Sequence, residues 1–422
     1  MAAAPTLNLE QARTVLEAGC DDVRDAGPED AVAGVPAWFV ARPRSTEEVA
    51  AVLAAASGTG LTVVPRGAGT KLSWGLPPER ADLVLDLGRL SGVLEHAAGD
   101  LIVKTQAGTP LAAVQEAVGR SGQRLALDDP LGGATVGGML ATNLSGPRRM
   151  AFGTARDLLI GITIVRADGV IAKAGGRVVK NVAGYDLGKL MIGSLGTLAV
   201  ITEANFRLHP LPAAERLVTA AFERPEEAQR LAQSVLHAQV VPSALEVEAG
   251  PDGGTIAVLL EGTEAGVEGR AANARELLGG SAQVGDVPDG WGTFPWLGAE
   301  GRPVALKATF ALSGLARVLA AARDAASATG VDLRLRGSAG AGVAYGVLPD
   351  GTDVAAVAQV VQRLRAACTD VGGSLVVVDA SPEVLEATDV WGPVSALDLM
   401  RRVKEQFDPE RRLAPGRFVG GI

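Results

Sequence analysis

The residues with the clearest chemical potential form a glycine-containing loop, Pro65 to Lys71, with the sequence PRGAGTK. Glycines let a phosphate approach the main chain closely, and successive backbone N–H groups can bind a pyrophosphate. Asp86 lies at a chain distance that suits the ribose carboxylate of a dinucleotide-binding fold. That fold needs a helix directly after the loop, and Pro77-Pro78 exclude one here. The loop therefore predicts a pyrophosphate site without a helix, with an ordinary turn as the alternative.

A second stretch, residues 128–157, combines glycines with small hydroxyl and amide side chains. Small side chains let backbone pack against a flat ligand, while hydroxyl and amide groups can form hydrogen bonds with it. A closely packed, glycine-rich connector is the alternative. The residues concerned are Gly132, Gly133, Gly137, Gly138, Gly146 and Gly153, with Thr135, Thr142, Asn143 and Ser145 between them.

Charged residues near this stretch could bind an anion or could form a solvated face. Asp157 is expected to pair with one of the nearby arginines. A later segment, KNVAGYDLGKL, could line a cleft or lie on a surface loop. The residues concerned are Arg148, Arg149 and Arg156 in the first group, and Lys180, Tyr185, Asp186 and Lys189 in the second.

No metal site is predicted, because His96, His209 and His237 lack metal-ligand spacing. Cys20 and Cys368 could form one disulfide at most, and nothing in the sequence suggests that they do. Two cysteines are too few for a four-cysteine iron–sulfur cluster, so such a cluster would belong to another chain.

Composition narrows the class of partner. The 422 residues carry a formal net charge of −9, which argues against nucleic acid or an anionic membrane surface as partner. The start of the chain does not resemble a secretory signal, and no apolar run approaches the roughly 18 residues of a membrane span. We therefore expect a cytoplasmic protein, with any attachment to the inner membrane made through partners.

Hydrophobic periodicity predicts an amino-terminal β-α-β unit. Residues 35–41 form its first strand, a helix follows a capping box at Ser45 and Glu48, and residues 61–64 form its second strand. Thr109 is expected to cap another helix, with Pro110 in its first turn. Residues 160–174 predict a hairpin with a tight turn at Asp168-Gly169.

The pattern changes after Pro212. Two successive β-α-β-β-α units, spanning 216–278 and 303–379, predict an antiparallel sheet with helices on one face. The segment between them, 281–302, is expected to be a loop. A last amphipathic helix is predicted from Ala396 to Phe407.

With these segments in view, the chain resembles the FAD-binding domain of the vanillyl-alcohol-oxidase or PCMH type. PRGAGT, DPLGGATVGG, ATNLSG, AFGTARD and GSLGTLAVITEA follow one another in the family's order across residues 36–211. KNVAGYDLGKLMIGSLGTL and the closing FDPERRLAPGRF resemble the FAD-binding subunits of bacterial glycolate oxidases, over nearly the whole chain.

The resemblance implies an α+β fold: a two-part PCMH-type FAD-binding domain, then a ferredoxin-like, duplicated antiparallel α+β cap domain. The implied divisions are a helical lead-in at 1–34, the FAD-binding domain at 35–212, the cap at 213–385, and a tail at 386–422 that returns to the FAD domain. The implied FAD contacts are Pro65, Arg66, Gly67, Ala68, Gly69, Thr70, Lys71, Asp129, Pro130, Leu131, Gly132, Gly133, Ala134, Thr135, Gly138, Thr142, Asn143, Ser145, Gly196, Thr197, Ala199, Val200 and Ile201.

Two departures from the family pattern matter. Covalent members carry a flavin-linking histidine or cysteine, which the first loop lacks, so non-covalent FAD is expected. Catalytic 2-hydroxyacid dehydrogenases of the family carry cap histidines that serve substrate or metal. The comparable hairpin here, Arg336 to Gly346, has glycines and no histidine.

The resemblance implies a subunit of a glycolate oxidase complex, which oxidises glycolate or D-lactate to the 2-oxo acid. A related FAD-linked subunit would be catalytic, and an iron–sulfur subunit would take the electrons. One alternative is a self-sufficient FAD-linked oxidoreductase, in which Lys180, Tyr185 or an arginine holds the substrate carboxylate. A second alternative is a non-catalytic assembly protein that has lost the flavin. No catalytic residue is assigned.

Overall fold

The computed structural model of the chain describes residues 9–176 and 186–422. Before Pro212 its strands are β1 (Val23–Asp25), β2 (Phe39–Ala41), β3 (Val63–Arg66), β4 (Leu83–Asp86), β5 (Val93–Ala97), β6 (Ile102–Gln106), β7 (Gln123–Arg124), β8 (Leu159–Val165), β9 (Ile171–Gly175), β10 (Val200–Arg207) and β11 (His209–Pro210). The helices of this half are α1 (Leu9–Gly19), α2 (Thr46–Thr59), α3 (Leu111–Gly119), α4 (Val136–Thr142), α5 (Arg149–Phe152), α6 (Ala155–Leu158) and α7 (Leu187–Met191).

These strands form two main sheets, as the two-part flavin domain requires. The first has the order β1-β2-β4-β3, in which β2, β3 and β4 are parallel and β1 is antiparallel to its neighbour. The second is antiparallel, with the order β5-β6-β10-β8-β9. The predicted hairpin is confirmed as β8 and β9.

Local sequence explains why α2 lies where it does. The Ser45 hydroxyl accepts a hydrogen bond from the Glu48 backbone N–H at 3.0 Å, and Gly60 ends the helix in the left-handed conformation. Val49, Val52 and Leu53 are fully or almost fully buried in the core formed with the first sheet. This helix therefore fixes β3 and the loop that follows it.

The second half contains the strands β12 (Ala214–Phe222), β13 (Ala244–Gly250), β14 (Gly253–Gly262), β15 (Gln283–Gly285), β16 (Val304–Thr309), β17 (Arg334–Ser338), β18 (Val343–Leu348) and β19 (Ser374–Asp379). Its helices are α8 (Pro225–Leu236), α9 (Glu264–Leu278), α10 (Leu315–Thr329), α11 (Val354–Asp370), α12 (Pro382–Ala387) and α13 (Leu397–Phe407).

The eight strands form one antiparallel sheet with the order β15-β12-β14-β13-β17-β18-β16-β19. Each half of the sheet repeats the same internal order, and the two halves meet where β13 pairs with β17. The predicted duplication is therefore confirmed. Buried side chains on the helices, such as Leu231, Val267, Val318 and Val360, pack in the main core of this sheet.

The carboxyl-terminal tail returns to the first half of the chain, as predicted. Leu413 forms a parallel bridge with Val63 of β3. The buried ammonium of Lys404 donates to the Thr197 carbonyl at 2.7 Å, to the Leu413 carbonyl at 3.0 Å and to Asp408 at 2.7 Å. These bonds hold α13 and the residues after it against the flavin-binding half.

Several local predictions need correction. Residues 23–25 form a strand that joins the first sheet, because the lead-in pairs with β2, which begins only at Phe39. The predicted loop 281–302 contains β15, the outer strand of the first repeat. Pro110 rather than Thr109 caps α3, since the Thr109 hydroxyl donates to the Gln106 carbonyl.

The predicted pairing of Asp157 with an arginine is wrong. Its carboxylate accepts hydrogen bonds from the Thr154 N–H at 2.7 Å and the Thr154 hydroxyl at 3.0 Å, which caps α6. Cys20 and Cys368 are free and buried. Across the two described ranges, no helix has the length and apolar character that crossing a membrane requires.

Candidate functional site

A cleft opens where the end of β3 and its following loop face α4 and the start of β10. It holds about 730 Å³ of empty space, its open mouth included. The lining residues are Pro65, Arg66, Gly67, Ala68, Gly69, Thr70, Lys71, Leu72, Leu87, Ala107, Thr135, Gly137, Gly138, Ala141, Thr142, Leu195, Gly196, Ala199, Val200, Ile201 and Arg417.

The loop after β3 presents its main chain to this cleft. None of the backbone N–H groups from Gly67 to Lys71 donates a hydrogen bond to a described residue. Gly69 has φ +78°, which disfavours other residues, and a Cβ at Gly67 would collide with the Thr135 hydroxyl. The glycines therefore keep successive unpaired donors open to a ligand, and turns rather than a helix follow, as predicted.

Three cations line the cleft, and their partners differ. Arg66 is already paired, at 2.9 Å from both Asp30 and Asp86. Lys71 is only 7% exposed and forms no ion pair with a described residue, and its ammonium donates to the Thr70 hydroxyl at 2.8 Å. Burial lowers the pKa of Lys71 to about 8, although the charge of Asp129 opposes the shift.

Arg417 was not among the predicted site residues. Its guanidinium is 3% exposed and donates to the carbonyls of Leu72 and Trp74 at 2.7 and 2.8 Å, while its Nε has no partner in the described structure. Burial lowers the pKa of Arg417 to about 10. Lys71 and Arg417 therefore leave positive charge without a paired carboxylate, which favours an anionic ligand.

On the opposite wall, Thr135 caps the amino end of α4, and its hydroxyl accepts a hydrogen bond from the Gly138 N–H at 3.3 Å. Thr142 also lines the cleft, but its hydroxyl donates to the Gly138 carbonyl at 2.7 Å. The predicted residues 129–134 lie outside the cleft lining. They form a turn in which Asp129 accepts from the N–H groups of Gly132 and Ala134 at 3.1 and 2.7 Å. This turn positions Thr135.

Among the other predicted FAD contacts, some line the cleft and others do not. Gly196, Ala199, Val200 and Ile201 line the cleft, whereas Asn143, Ser145 and Thr197 do not. Thr197 instead accepts from Lys404 through its carbonyl. Lys180 and Tyr185 lie outside the described residues.

The residues that sequence analysis missed are mostly small or apolar wall positions. Arg417 had a usable signal, because it stands in the closing APGRF segment that the resemblance had already placed against the flavin domain. The missed lining residues are Leu72, Leu87, Ala107, Ala141, Leu195 and Arg417.

Two family models match the chain. Residues 37–175 match the model described as FAD binding domain, and residues 297–418 match the C-terminal domain of FAD linked oxidases. In both matched regions the chain is similar to FAD-linked oxidases. The cleft lies largely within the first match, so the FAD-binding domain of this family and the geometry of the cleft agree.

Curated relatives match over about half of the chain. Glycolate oxidase subunit GlcD of Bacillus subtilis is 34% identical over 49% of this chain and 44% of the relative. D-lactate dehydrogenase of Archaeoglobus fulgidus is 37% identical over 50% of this chain and 47% of the relative. Glycolate oxidase subunit GlcE of Escherichia coli is 34% identical over 53% of this chain and 61% of the relative. The chain thus spans about half the length of the curated relatives it matches.

Solved structures share the fold over almost the whole chain. 4-Ethylphenol oxidase from Gulosibacter chungangensis has a TM-score of 0.76 at 16% identity and covers 98% of both chains. An alkyldihydroxyacetonephosphate synthase has a TM-score of 0.75 at 17% identity, covering 99% of this chain and 88% of its own. At these identities the likeness concerns architecture alone.

Proposed function

We propose that the chain binds one FAD, non-covalently, in the cleft between the loop after β3 and α4. The unpaired N–H groups of Gly67 to Lys71 carry this proposal, because they are successive main-chain donors that line one cleft and a pyrophosphate would satisfy several at once. Lys71 and Arg417 would complement the negative charge.

The remaining predicted contacts take two roles in this proposal. Residues that line the cleft, including Thr135, Gly138 and Gly196, would contact FAD mainly through backbone and small side chains. The turn at 129–134 would act by positioning Thr135. Non-covalent binding is supported because none of the described lining residues is histidine or cysteine, the usual flavin-linking residues.

We further propose that the protein takes part in oxidising a small 2-hydroxy acid, as the FAD-binding subunit of a glycolate-oxidase-type complex. The names of its relatives, glycolate oxidase subunits and D-lactate dehydrogenase, support this class of substrate. Bound FAD would accept a hydride, and the protein would bind and orient the cofactor. The two cysteines of the chain are too few to hold a four-cysteine iron–sulfur cluster. The electrons would therefore pass to a cluster on a partner subunit.

An absorbance spectrum of the purified chain tests the first part. We expect a flavin spectrum, and release of all the flavin into solution after acid precipitation. Flavin that stays with the precipitate would contradict non-covalent binding. A colourless protein that takes up no added FAD would contradict the cofactor assignment and favour an assembly role.

Anaerobic addition of glycolate or D-lactate tests the second part. We expect the flavin to stay oxidised until the catalytic and iron–sulfur partner subunits are added, and then to bleach. Bleaching by the acid alone would show a self-sufficient oxidoreductase. Flavin that stays oxidised in the full complex with both acids would contradict 2-hydroxy-acid oxidation.

A further inference from the structure

The two sheets of the first half approach each other closely at one edge of the cleft. Gly196, just before β10, has φ +75°, and a Cβ there would lie 3.4 Å from the ring of Pro65. Pro65 belongs to β3 of the first sheet, whereas Gly196 leads into β10 of the second. Both residues line the cleft, so the approach of β3 to the start of β10 sets the width of the cleft.

The carboxyl-terminal tail lies against β3 at this junction. The Val63 N–H donates to the Arg412 carbonyl at 2.7 Å, and the Ala414 N–H donates to the Val63 carbonyl at 2.9 Å. Leu413, between these two tail residues, forms the parallel bridge with Val63. The tail therefore adds a short extended segment to the outer edge of the first sheet.

Lys404 connects this tail segment to the second sheet. The residue is 4% exposed, and its ammonium donates to the Leu413 carbonyl at 3.0 Å and to the Thr197 carbonyl at 2.7 Å. Thr197 directly follows Gly196, the residue that packs against Pro65. The third donor of the ammonium is used by Asp408 at 2.7 Å.

Asp408 fixes the tail segment to Lys404. It is fully buried, and its carboxylate also accepts from the N–H groups of Arg412 at 2.8 Å and Leu413 at 2.7 Å. Burial lowers the pKa of Lys404, while the charge and the hydrogen bond of Asp408 oppose the shift. Taking both charges out of water is costly, so the pair adds little net stability. Its directional bonds can instead select one arrangement of the segments that it joins.

The pair does not form part of the cleft surface. Among the described residues that line the cleft, neither Lys404 nor Asp408 is present. The three donors of Lys404 are used by Thr197, Asp408 and Leu413. Lys404 can therefore act on a ligand of the cleft only through the segments that it holds.

We propose that Lys404, with Asp408, is a positioning residue for FAD, which holds the two sheets of the flavin-binding half at the separation that the cofactor requires. A binding site loses affinity when the residues that support its walls are lost, even when the wall residues themselves are unchanged. This inference rests on the proposed FAD site and deepens it, because it assigns affinity to a residue that does not touch the cofactor.

The first experiment uses the wild-type protein alone. If the docked tail favours FAD binding, bound FAD must favour the docked tail to the same extent, because coupling between two sites is reciprocal. Amide hydrogen exchange of residues 408–417 should therefore slow by about tenfold or more on saturation with FAD, and by more than exchange in α8 of the second half. Unchanged exchange of the tail in a protein that binds FAD would overturn the inference.

The second experiment compares the wild type with Lys404→Met and with the double variant Lys404→Met/Asp408→Asn. Methionine keeps a long side chain without the ammonium, but the single variant leaves the charge of Asp408 buried and unpaired, which destabilises the fold. The double variant removes both charges and keeps an amide oxygen that can accept from the tail N–H groups.

FAD affinity is measured by fluorescence titration, under conditions in which circular dichroism shows each variant to be folded. It should fall by about tenfold or more in both variants, as expected when a supporting residue of a binding site is lost. The exchange experiment needs no variant and decides the case if neither variant folds.

Glu261→Gln is the matched control. It also breaks a buried ion pair, because Glu261 is 3% exposed and lies 2.7 Å from Arg124, but Glu261 does not line the cleft. This variant should lose stability and keep the wild-type affinity for FAD.

A folded double variant with wild-type FAD affinity would overturn the assignment. So would an equal loss of affinity in Glu261→Gln, because the effect would then follow from general destabilisation. In both cases the wild-type protein still binds FAD, and the proposed function stands. A wild-type protein that takes up no FAD would contradict the proposed function itself.

Discussion

At the scale of single residues, the cations of the cleft are distinguished by their partners. Arg66 forms ion pairs with both Asp30 and Asp86, so its positive charge is already balanced by neighbouring carboxylates. Lys71 and Arg417 are buried without a paired carboxylate among the described residues. A buried unpaired cation destabilises the empty protein, and an anionic ligand relieves that cost. The affinity for FAD should therefore depend on these two side chains.

Because the pKa of Lys71 is lowered, we expect the affinity for FAD to depend on pH. Its pKa is about 8 in the empty protein because of burial, and a bound pyrophosphate would raise it. The protonated form binds more tightly, so affinity should be constant below pH 8 and should fall above it, by up to about tenfold per pH unit. Lys71→Gln should weaken binding about tenfold to a hundredfold at pH 7 and lose this dependence.

Fluorescence titration of the empty protein with FAD, from pH 6.5 to 9.5, measures both effects. Lys104→Gln is the control, because Lys104 pairs with Glu203 at 2.9 Å and does not line the cleft. It should bind FAD as wild type does. An affinity for FAD that is independent of pH in wild type would argue against a role for the Lys71 charge.

At the scale of elements, sequence periodicity predicts the strands and helices well, because each side chain's burial repeats with the element's own period. It also separates the two β-α-β-β-α units. Composition does not decide which part of a glycine-rich stretch faces a ligand. Asp129 and Gly132 close a turn outside the cleft, while Gly137, five residues further along, lines it.

Contacts between residues far apart in the chain could not be predicted from the sequence either. Arg417 reaches the carbonyls of Leu72 and Trp74 across most of the chain length, and no local pattern encodes such a contact. Glu246 and Glu248 both lie on β13, and only Glu246 is buried, because the side chains that cover it come from other segments. The family resemblance supplied the order of segments but not these pairings.

The loop after β3 yields a prediction about one element. Gly69→Val places a β-branched residue at φ +78° and narrows the approach to the unpaired N–H groups. FAD affinity should fall by about tenfold or more, as measured by flavin content after gel filtration. Gly122→Val is the control, because Gly122 also has a positive φ, +68°, with open space around it and no place in the cleft lining.

Both variants should lose a similar stability, about 1–2 kcal/mol, because both carry left-handed strain. The control should keep wild-type flavin content. If Gly69→Val retains normal FAD, the loop does not hold the pyrophosphate. If Gly122→Val also loses FAD, the loss reflects general destabilisation.

At the scale of the whole molecule, the two halves of the chain are joined by a buried ion cluster. Glu261, on β14 of the second half, lies 2.7 Å from Arg124 and 2.9 Å from Arg148, both in the first half. Arg148 also pairs with Asp128 at 2.9 Å. The cluster therefore helps to hold the second half against the first.

The cluster makes stability depend on pH in a defined direction. Burial opposes ionisation of Glu261, but hydrogen bonds and charge from Arg124 and Arg148 overcome it and lower its pKa from 4.5 to about 2. A depressed carboxyl pKa contributes stability above pH 4.5, about 3 kcal/mol here, and that contribution is lost as pH falls towards 2. Glu261→Gln should therefore lower the free energy of unfolding at pH 7 by about 3 kcal/mol or more, since it leaves buried arginine charge unpaired.

Urea unfolding of wild type and variant between pH 7 and pH 3 measures this effect, and the difference between them should shrink as the pH falls below 4.5. Glu268→Gln is the control, because Glu268 is 58% exposed and pairs with Arg216 near the surface, where an ion pair contributes about 0–1 kcal/mol. If Glu261→Gln costs no more than this control at pH 7, the cluster does not hold the two halves together. Their relative position would then depend on apolar packing across the junction, where Tyr345 of the second half packs in the core of the first.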